Sequence, residues 1–205
     1  MKLNIGVPKS MKVAAMVQPW EDPLSGDDVG NLMAQADSLG FNKCMLGEHF
    51  IIPQEHVALS GDWYFHTVVA LGFIGGRTKN LRLSSSVSIL PLQNPIVQAK
   101  AWSTLDWLSG GRAEALFGVG WLKEEFDILG VPFAKRGRMA DEYLAAMIQL
   151  WTKDEPEFEG EFGLGQHVGG VVEHRDAGVS DQPVLGREGF VIEQRVEEIG
   201  GEIGA

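Results

Sequence analysis

The stretch Leu81–Gly130 constrains the fold more than any other part of this 205-residue chain. It reads strand, turn, helix, Gly-Gly turn, strand, Gly-rich exit, helix. Leu81–Leu90 has a strand-like composition and stops at Pro91. Asn94 followed by Pro95 is a cap followed by a first-turn proline, which predicts a helix over Asn94–Leu108. Its apolar residues Ile96, Val97, Ala101, Leu105 and Leu108 recur at helical spacing, and Gly110-Gly111 ends it. Ala113–Val119 is a second apolar strand, leaving through Gly118-Val119-Gly120-Trp121. Two strands joined by a helical crossover make a βαβ unit with parallel strands. In such sheets ligands sit at the carboxyl ends of the strands. Those ends carry Ser84-Ser85-Ser86-Val87 and Gly118/Gly120, small residues that let a flat or bulky group approach the backbone.

The rest of the chain repeats this alternation. Lys12–Val17 reads as a first strand, which leaves residues 1–11 as a leader. Asp27-Asp28 open a helix with the stripe Val29, Leu32, Met33, Ala36 and Leu39, stopped by Gly40. Asn42–Leu46 is a second strand and runs into Gly47-Glu48-His49-Phe50. Ile51–Gly61 is a long loop, and Asp62 caps a predicted helix over Trp63–Arg77. Leu122–Leu129 and Arg138–Trp151 are further helices, the second with Met139, Tyr143, Ala146, Met147, Leu150 and Trp151 on one side. Strands alternating with helices predict an α/β fold with a parallel sheet, either a barrel or an open doubly wound sheet. No G-x-G-x-x-G follows the first strand, which counts against a dinucleotide fold.

A net charge of −11 argues against nucleic acid as a main partner. The single Cys44 excludes an internal disulfide and fits a cytoplasmic protein. No apolar run approaches the roughly 18 residues of a membrane span, so no membrane is expected as a partner. His56, His66, His167 and His174 lack ligand spacing and have no Cys partner, so no metal site is expected.

The chain changes character after Phe162. All six Trp and both Tyr precede it, and Phe190 is the one aromatic residue beyond it. Ten of the 43 residues from Gly163 to Ala205 are Gly, with no sustained period. Glu193–Ile199 is compatible with a turn or two of helix. The reading is a body over 12–162 followed by a divergent, irregular tail over 163–205.

The order LRLSSSVSILPLQNP, LDWLSGGR, GVGWLKEEFDILGVPF resembles the bacterial luciferase-like flavin-dependent oxidoreductases, and looks closest to the subgroup that uses the deazaflavin coenzyme F420. The resemblance runs from about Lys12 to Phe162. It implies a (β/α)8 TIM-barrel fold of which about the first four βα units are present, and a truncated or frame-shifted copy with a non-native tail. It implies a monooxygenase-type oxidoreductase with FMN or the deazaflavin as cofactor. A small-molecule substrate and a flavin or deazaflavin reductase would be its partners. The alternative is a shortened, non-catalytic flavin-binding protein or inert fragment, with a homodimer completing its core.

The candidate residues have plain readings beside them. Glu48-His49 at a strand end can hold a titrating imidazole over a pocket, or can be a turn histidine satisfied by backbone. The resemblance places His49 beside the flavin ring as the catalytic residue; Glu48, counted with the cofactor-binding residues, reads as holding either the His49 tautomer or a neighbouring backbone amide. Ser84, Ser86 and Ser88 alternate, and three serines on one face suit a cavity better than a buried sheet. By resemblance Ser86-Val87 is a bulge with a non-prolyl cis peptide behind the ring, and Gly118, Gly120 and Trp121 pack close to it. The chain departs here from some deazaflavin-dependent sugar-phosphate dehydrogenases of the family, which carry a Glu acid where it has Trp121. Arg136-Gly137-Arg138 with Asp141-Glu142 reads as an ion-paired face rather than a phosphate site. Trp63, Tyr64 and His66 read equally as pocket mouth or as ordinary helix positions. Trp102, Trp107 and Trp121 are expected in or near the site.

Overall fold

The computed structural model describes residues 2–162 and two short strands further on. In chain order the elements are β1 (Asn4–Gly6), α1 (Gly26–Ser38), β2 (Lys43–Leu46), α2 (Val57–Ser60), α3 (Thr67–Gly75), β3 (Arg82–Ser85) and β4 (Ser88–Ile89). There follow α4 (Pro95–Ser109), β5 (Ala113–Glu114), β6 (Leu116–Gly118), α5 (Lys123–Ile128), α6 (Arg136–Thr152), β7 (Glu157–Phe158), β8 (Gln166–His167) and β9 (Val191–Ile192). One parallel sheet has the order β1-β2-β3-β5 and a second β4-β6-β9; β7 and β8 pair antiparallel. Helix α1 crosses from β1 to β2, α3 from β2 to β3, α4 from β4 to β5, and α6 follows β6. Each of these helices packs on the next. This is the α/β barrel arrangement over four βα units. Met33, Leu71, Leu83, Trp102, Phe117 and Met147 fill the layer between sheet and helices.

Local chemistry explains most boundaries. Ser25 caps α1 in a capping box with Asp28. The Asn94 side chain accepts from the Ile96 and Val97 amides at 2.9 and 3.3 Å, and Gly110 ends α4 in the left-handed region. All six residues expected on the inner side of α6 are buried.

Four expectations need correction. The first strand lies at Asn4–Gly6, not Lys12–Val17, so residues expected to be a leader begin the sheet. Ile5 pairs with Cys44, and the Val7 amide continues the ladder to the Met45 carbonyl at 3.0 Å. Residues 13–17 instead close a turn on the Val13 carbonyl. The third helix starts at Thr67 rather than Trp63, because Ser10–Lys12 and Trp63–Phe65 pair in extended form first. On α4 the buried face carries Gln98, Ala99, Trp102, Leu105 and Asp106, while Val97 and Leu108 are 61% and 72% exposed. Two of these inward residues are polar, which hides the face from a hydrophobic pattern. Gln98 donates to the Leu90 carbonyl at 3.1 Å and Asp106 accepts from the Ala113 amide at 3.2 Å. Finally, the region after Phe162 is not wholly irregular, since β9 pairs parallel with β6. The turn or two of helix considered for Glu193–Ile199 lies outside the described residues.

The predicted third and fourth strands are each broken in two. Ser84 pairs with Glu114 but Ser88 with Phe117, so the third strand carries one residue more than the fourth between these pairings. That is a bulge. It contains a cis peptide at Ser86-Val87. The Ser85 hydroxyl spans the gap, donating to the Leu116 carbonyl and accepting from the Leu116 amide, both at 2.8 Å.

Candidate functional site

A cavity of about 540 Å³ opens at the carboxyl ends of β2, β4 and β6. Its walls include all seven predicted site residues: Glu48, His49, Ser86, Val87, Gly118, Gly120 and Trp121. Its size lies within the range of roughly 300–1,000 Å³ usual for small-molecule sites.

His49 follows the last strand residue of β2 by three positions and is nearly buried. Its Nδ1 lies 2.8 Å from Glu125 Oε2. Glu125 has no exposed surface, and its Oε1 accepts from the Phe50 and Ile51 amides at 2.6 and 3.3 Å. Tyr64 and Trp121 stand edge-on to the His49 ring, with centroids at 4.9 and 5.9 Å. Tyr64 donates to the Ser60 carbonyl at 2.7 Å. Burial pushes its phenol up from the ordinary value, and the Glu125 carboxylate adds to the shift.

Glu48 is 4% exposed. It accepts from the Ser88 hydroxyl at 2.7 Å, the Ile89 amide at 3.2 Å and the Thr67 amide at 3.3 Å. It therefore ties the end of β2 to β4 and to the first turn of α3. Cys44, within β2, is a packing residue of the core, with a thiol pushed up to about 11 by burial.

The bulge rearranges the serines. Only Ser86 of the alternating three lines the cavity; Ser84 and Ser88 are buried beside the strand. One extra residue reverses which side chains face which way, so strict alternation fails there. Gly118 has a different reason from the expected one. A Cβ there would lie 2.5 Å from Val87 Cγ2, so its missing side chain makes room for Val87. Gly120 has φ +78°, and a Cβ would strike Phe126 and Ile89. Its carbonyl accepts from Arg136 Nε at 3.0 Å, and the Arg136 guanidinium stacks on Phe133. Arg138 pairs with Glu161 at 2.9 Å, while Glu142, expected as an ion-pair partner, accepts from the Glu161 and Phe162 amides, so the expected face is ion-paired through a different carboxylate.

Of the three expected tryptophans only Trp121 lines the cavity. Trp102 is fully buried against Phe117, and Trp107 is exposed on α4. Trp63 bonds the Lys9 carbonyl, and His66 precedes α3 beside Phe50. Sequence reasoning missed Glu125, which lies 76 residues from His49. It stands in the first turn of a short helix, where an acidic residue is ordinary. It also missed the apolar wall of Met11, Val13 and Met16, placed over the cavity by the turn that replaced the expected first strand.

A tricyclic isoalloxazine needs an apolar surface with a few polar groups at its edge. The residues present fit that need: Val87, Ile89, Val119 and Trp121 are apolar walls, with His49 and Ser86 among them.

The family model described as luciferase-like monooxygenase matches residues 10–184. The match continues past Phe162, where the resemblance read from sequence stopped. An uncharacterized protein of Mycobacterium tuberculosis is 37% identical over 139 residues, covering 62% of this chain and 49% of that protein. The oxygenating constituent of 3,6-diketocamphane monooxygenase from Pseudomonas putida, solved in complex with FMN, superposes with a TM-score of 0.63 at 19% identity. That match covers 94% of this chain and 51% of the other. An F420-dependent secondary alcohol dehydrogenase, solved with an F420-acetone adduct, gives 0.60 at 20% identity, covering 84% and 48%. The two structural likenesses show a shared fold. The chain spans about half the length of the relatives it matches.

Proposed function

The chain belongs to the luciferase-like monooxygenase family, and from that premise we propose that it is a flavin- or deazaflavin-dependent oxidoreductase acting on a small organic molecule. One observation carries the reading. The Ser86-Val87 bulge, His49 and the Gly118–Trp121 exit, three separate pieces of sequence, converge on one cavity at the strand ends.

Bound there, FMNH2 would supply the electrons for oxygen transfer and the reduced deazaflavin a hydride. Everything else falls to the chain's own residues. Val87 and Ser86 back the ring. Glu48 fixes β4 behind them through Ser88 and Ile89. Tyr64 and Trp121 hold the His49 ring from two sides. With Nδ1 engaged by Glu125, Nε2 is the ring nitrogen that His49 offers to a ligand. Met11, Val13 and Met16 exclude water from the ring edge. A flavin or deazaflavin reductase delivers the electrons.

The test is a titration of the full-length chain with FMN and with the deazaflavin, read by tryptophan fluorescence. Trp121 is the tryptophan in the cavity wall, so the expected result is saturable quenching by one of the two. Most of its amplitude should vanish in Trp121→Phe, while the coloured ligand still comigrates with the protein. A folded chain that neither quenches nor retains either chromophore overturns the proposal.

A further inference from the structure

We propose that Glu125 is the positioning residue that sets the tautomer of His49, and thereby decides which ring nitrogen meets the ligand and in what state. The proposal rests on the cavity being a flavin or deazaflavin site, but its first readout needs no ligand.

Glu125 is wholly buried and each of its oxygens has a separate task. Oε1 receives two backbone N–H groups, from Phe50 and Ile51. Oε2 lies 2.8 Å from His49 Nδ1. A carboxylate only accepts, so Nδ1 must carry the hydrogen that fills this contact. A neutral His49 therefore keeps its lone pair on Nε2 and presents the cavity with an acceptor. When a proton arrives at Nε2, the ring becomes an imidazolium already paired with a carboxylate. The same side chain fixes the turn after His49, so ring position and protonation pattern come from one residue.

The asymmetry of the two oxygens makes the idea testable. In Glu125→Gln the amide oxygen must stay where two N–H groups converge. The NH2 group then faces His49 Nδ1. A donor there requires a bare Nδ1, so the hydrogen moves to Nε2. The variant keeps the turn and reverses the tautomer. A merely structural glutamate would show no such reversal.

The experiment is side-chain 15N–1H correlation spectroscopy of the full-length chain, with His49 assigned by its loss in His49→Asn. The expected result is an Nδ1–H signature in the parent and an Nε2–H signature in Glu125→Gln. In the loaded enzyme, kcat should fall on the order of 100-fold in Glu125→Gln, with KM little changed. An Nε2–H signature in the parent overturns the assignment by itself, even where the variant does not fold. Retention of Nδ1–H in a folded variant overturns it too. Should the tautomer reverse while neither cofactor binds, the cofactor reading fails and the role of Glu125 stands.

Discussion

The two ends of this parallel sheet are both held by charged side chains, half-buried at one end and buried at the other, but they use them differently. At the amino end Arg112 is a clamp whose donors are spent on the fold. Its guanidinium donates to the Gly75, Leu81 and Ser109 carbonyls and to the Thr78 hydroxyl, at 2.7 to 2.9 Å. Burial pushes it down from its ordinary value, while Asp37 and Cys44 act to raise it. At the carboxyl end Glu48 and Glu125 also satisfy backbone amides, but each ties a cavity-lining segment to its neighbours. The lesson is one of division. Arg112 closes a layer and is not among the cavity residues. The two glutamates hold loops whose other side is open. This is the division expected of an α/β barrel, where one face carries stability and the other chemistry.

The strongest way to break the comparison is at the amino end. Arg112→Ala leaves three carbonyls and a hydroxyl without their donor, which should cost about 3 kcal/mol or more in urea unfolding. Where the chain still folds, its affinity for FMN or the deazaflavin should be unchanged. A variant that lost ligand affinity at full stability would erase the distinction between the two ends. A smaller effect, at the other end, comes from Gly118→Ala. The new methyl meets Val87, so the expected cost is about 1–3 kcal/mol, and here ligand affinity should fall with stability because Val87 lines the cavity. Adding Val87→Ala should recover stability by removing the clash. If it recovers nothing, the role assigned to Gly118 is wrong.

Element boundaries set by local rules are legible in the sequence as structure, and the carboxyl end is legible as chemistry. Asn94, Gly110 and the inner side of α6 follow rules that act within a turn or two, and they came out as read. The first strand did not. Asn4–Gly6 is short, and what selects it over Lys12–Val17 is a ladder to residues some forty positions away. Arg112 gave no sign at all, since its acceptors are mainly backbone carbonyls brought together from the ends of α3 and α4 and the segment before β3. At the carboxyl end the sequence points to His49, Ser86-Val87, Gly118, Gly120 and Trp121, which line one cavity, but it does so largely through family resemblance. Periodicity alone made Ser84 and Ser88 cavity residues, and the bulge removed them. Glu125 stayed hidden because α5 brings it across the barrel mouth, and no local spacing encodes that. What sequence conveys here is the identity of groups that recur in a family; what it withholds is which long-range partner finishes each of them.

The smallest expected effect sharpens the comparison by charge. Glu114 on β5 bonds both Lys43 of β2 and Arg82 of β3, so the three side chains lace the lower part of the sheet. Burial pushes the Glu114 carboxyl up, but its hydrogen bond to Lys43 and the charges of Arg82 and Lys43 outweigh it and hold the group below the ordinary 4.5. A carboxyl lowered in the folded state stabilises the fold wherever the unfolded chain binds more protons. That contribution is fully present above about pH 4.5 and is lost as pH falls through the folded value. Glu114→Gln should therefore unfold more easily than the parent at pH 7, by about 1 kcal/mol given the partial exposure of the pair. The gap should close on acidification below the ordinary value, and 1 M salt should narrow it at neutral pH. The variant's fluorescence titration with cofactor should match the parent's, since Glu114 is not among the cavity residues. A gap that stayed constant from pH 7 to pH 3 would mean that the Glu114 side chain acts through packing, and the lower sheet would then owe nothing to its charges.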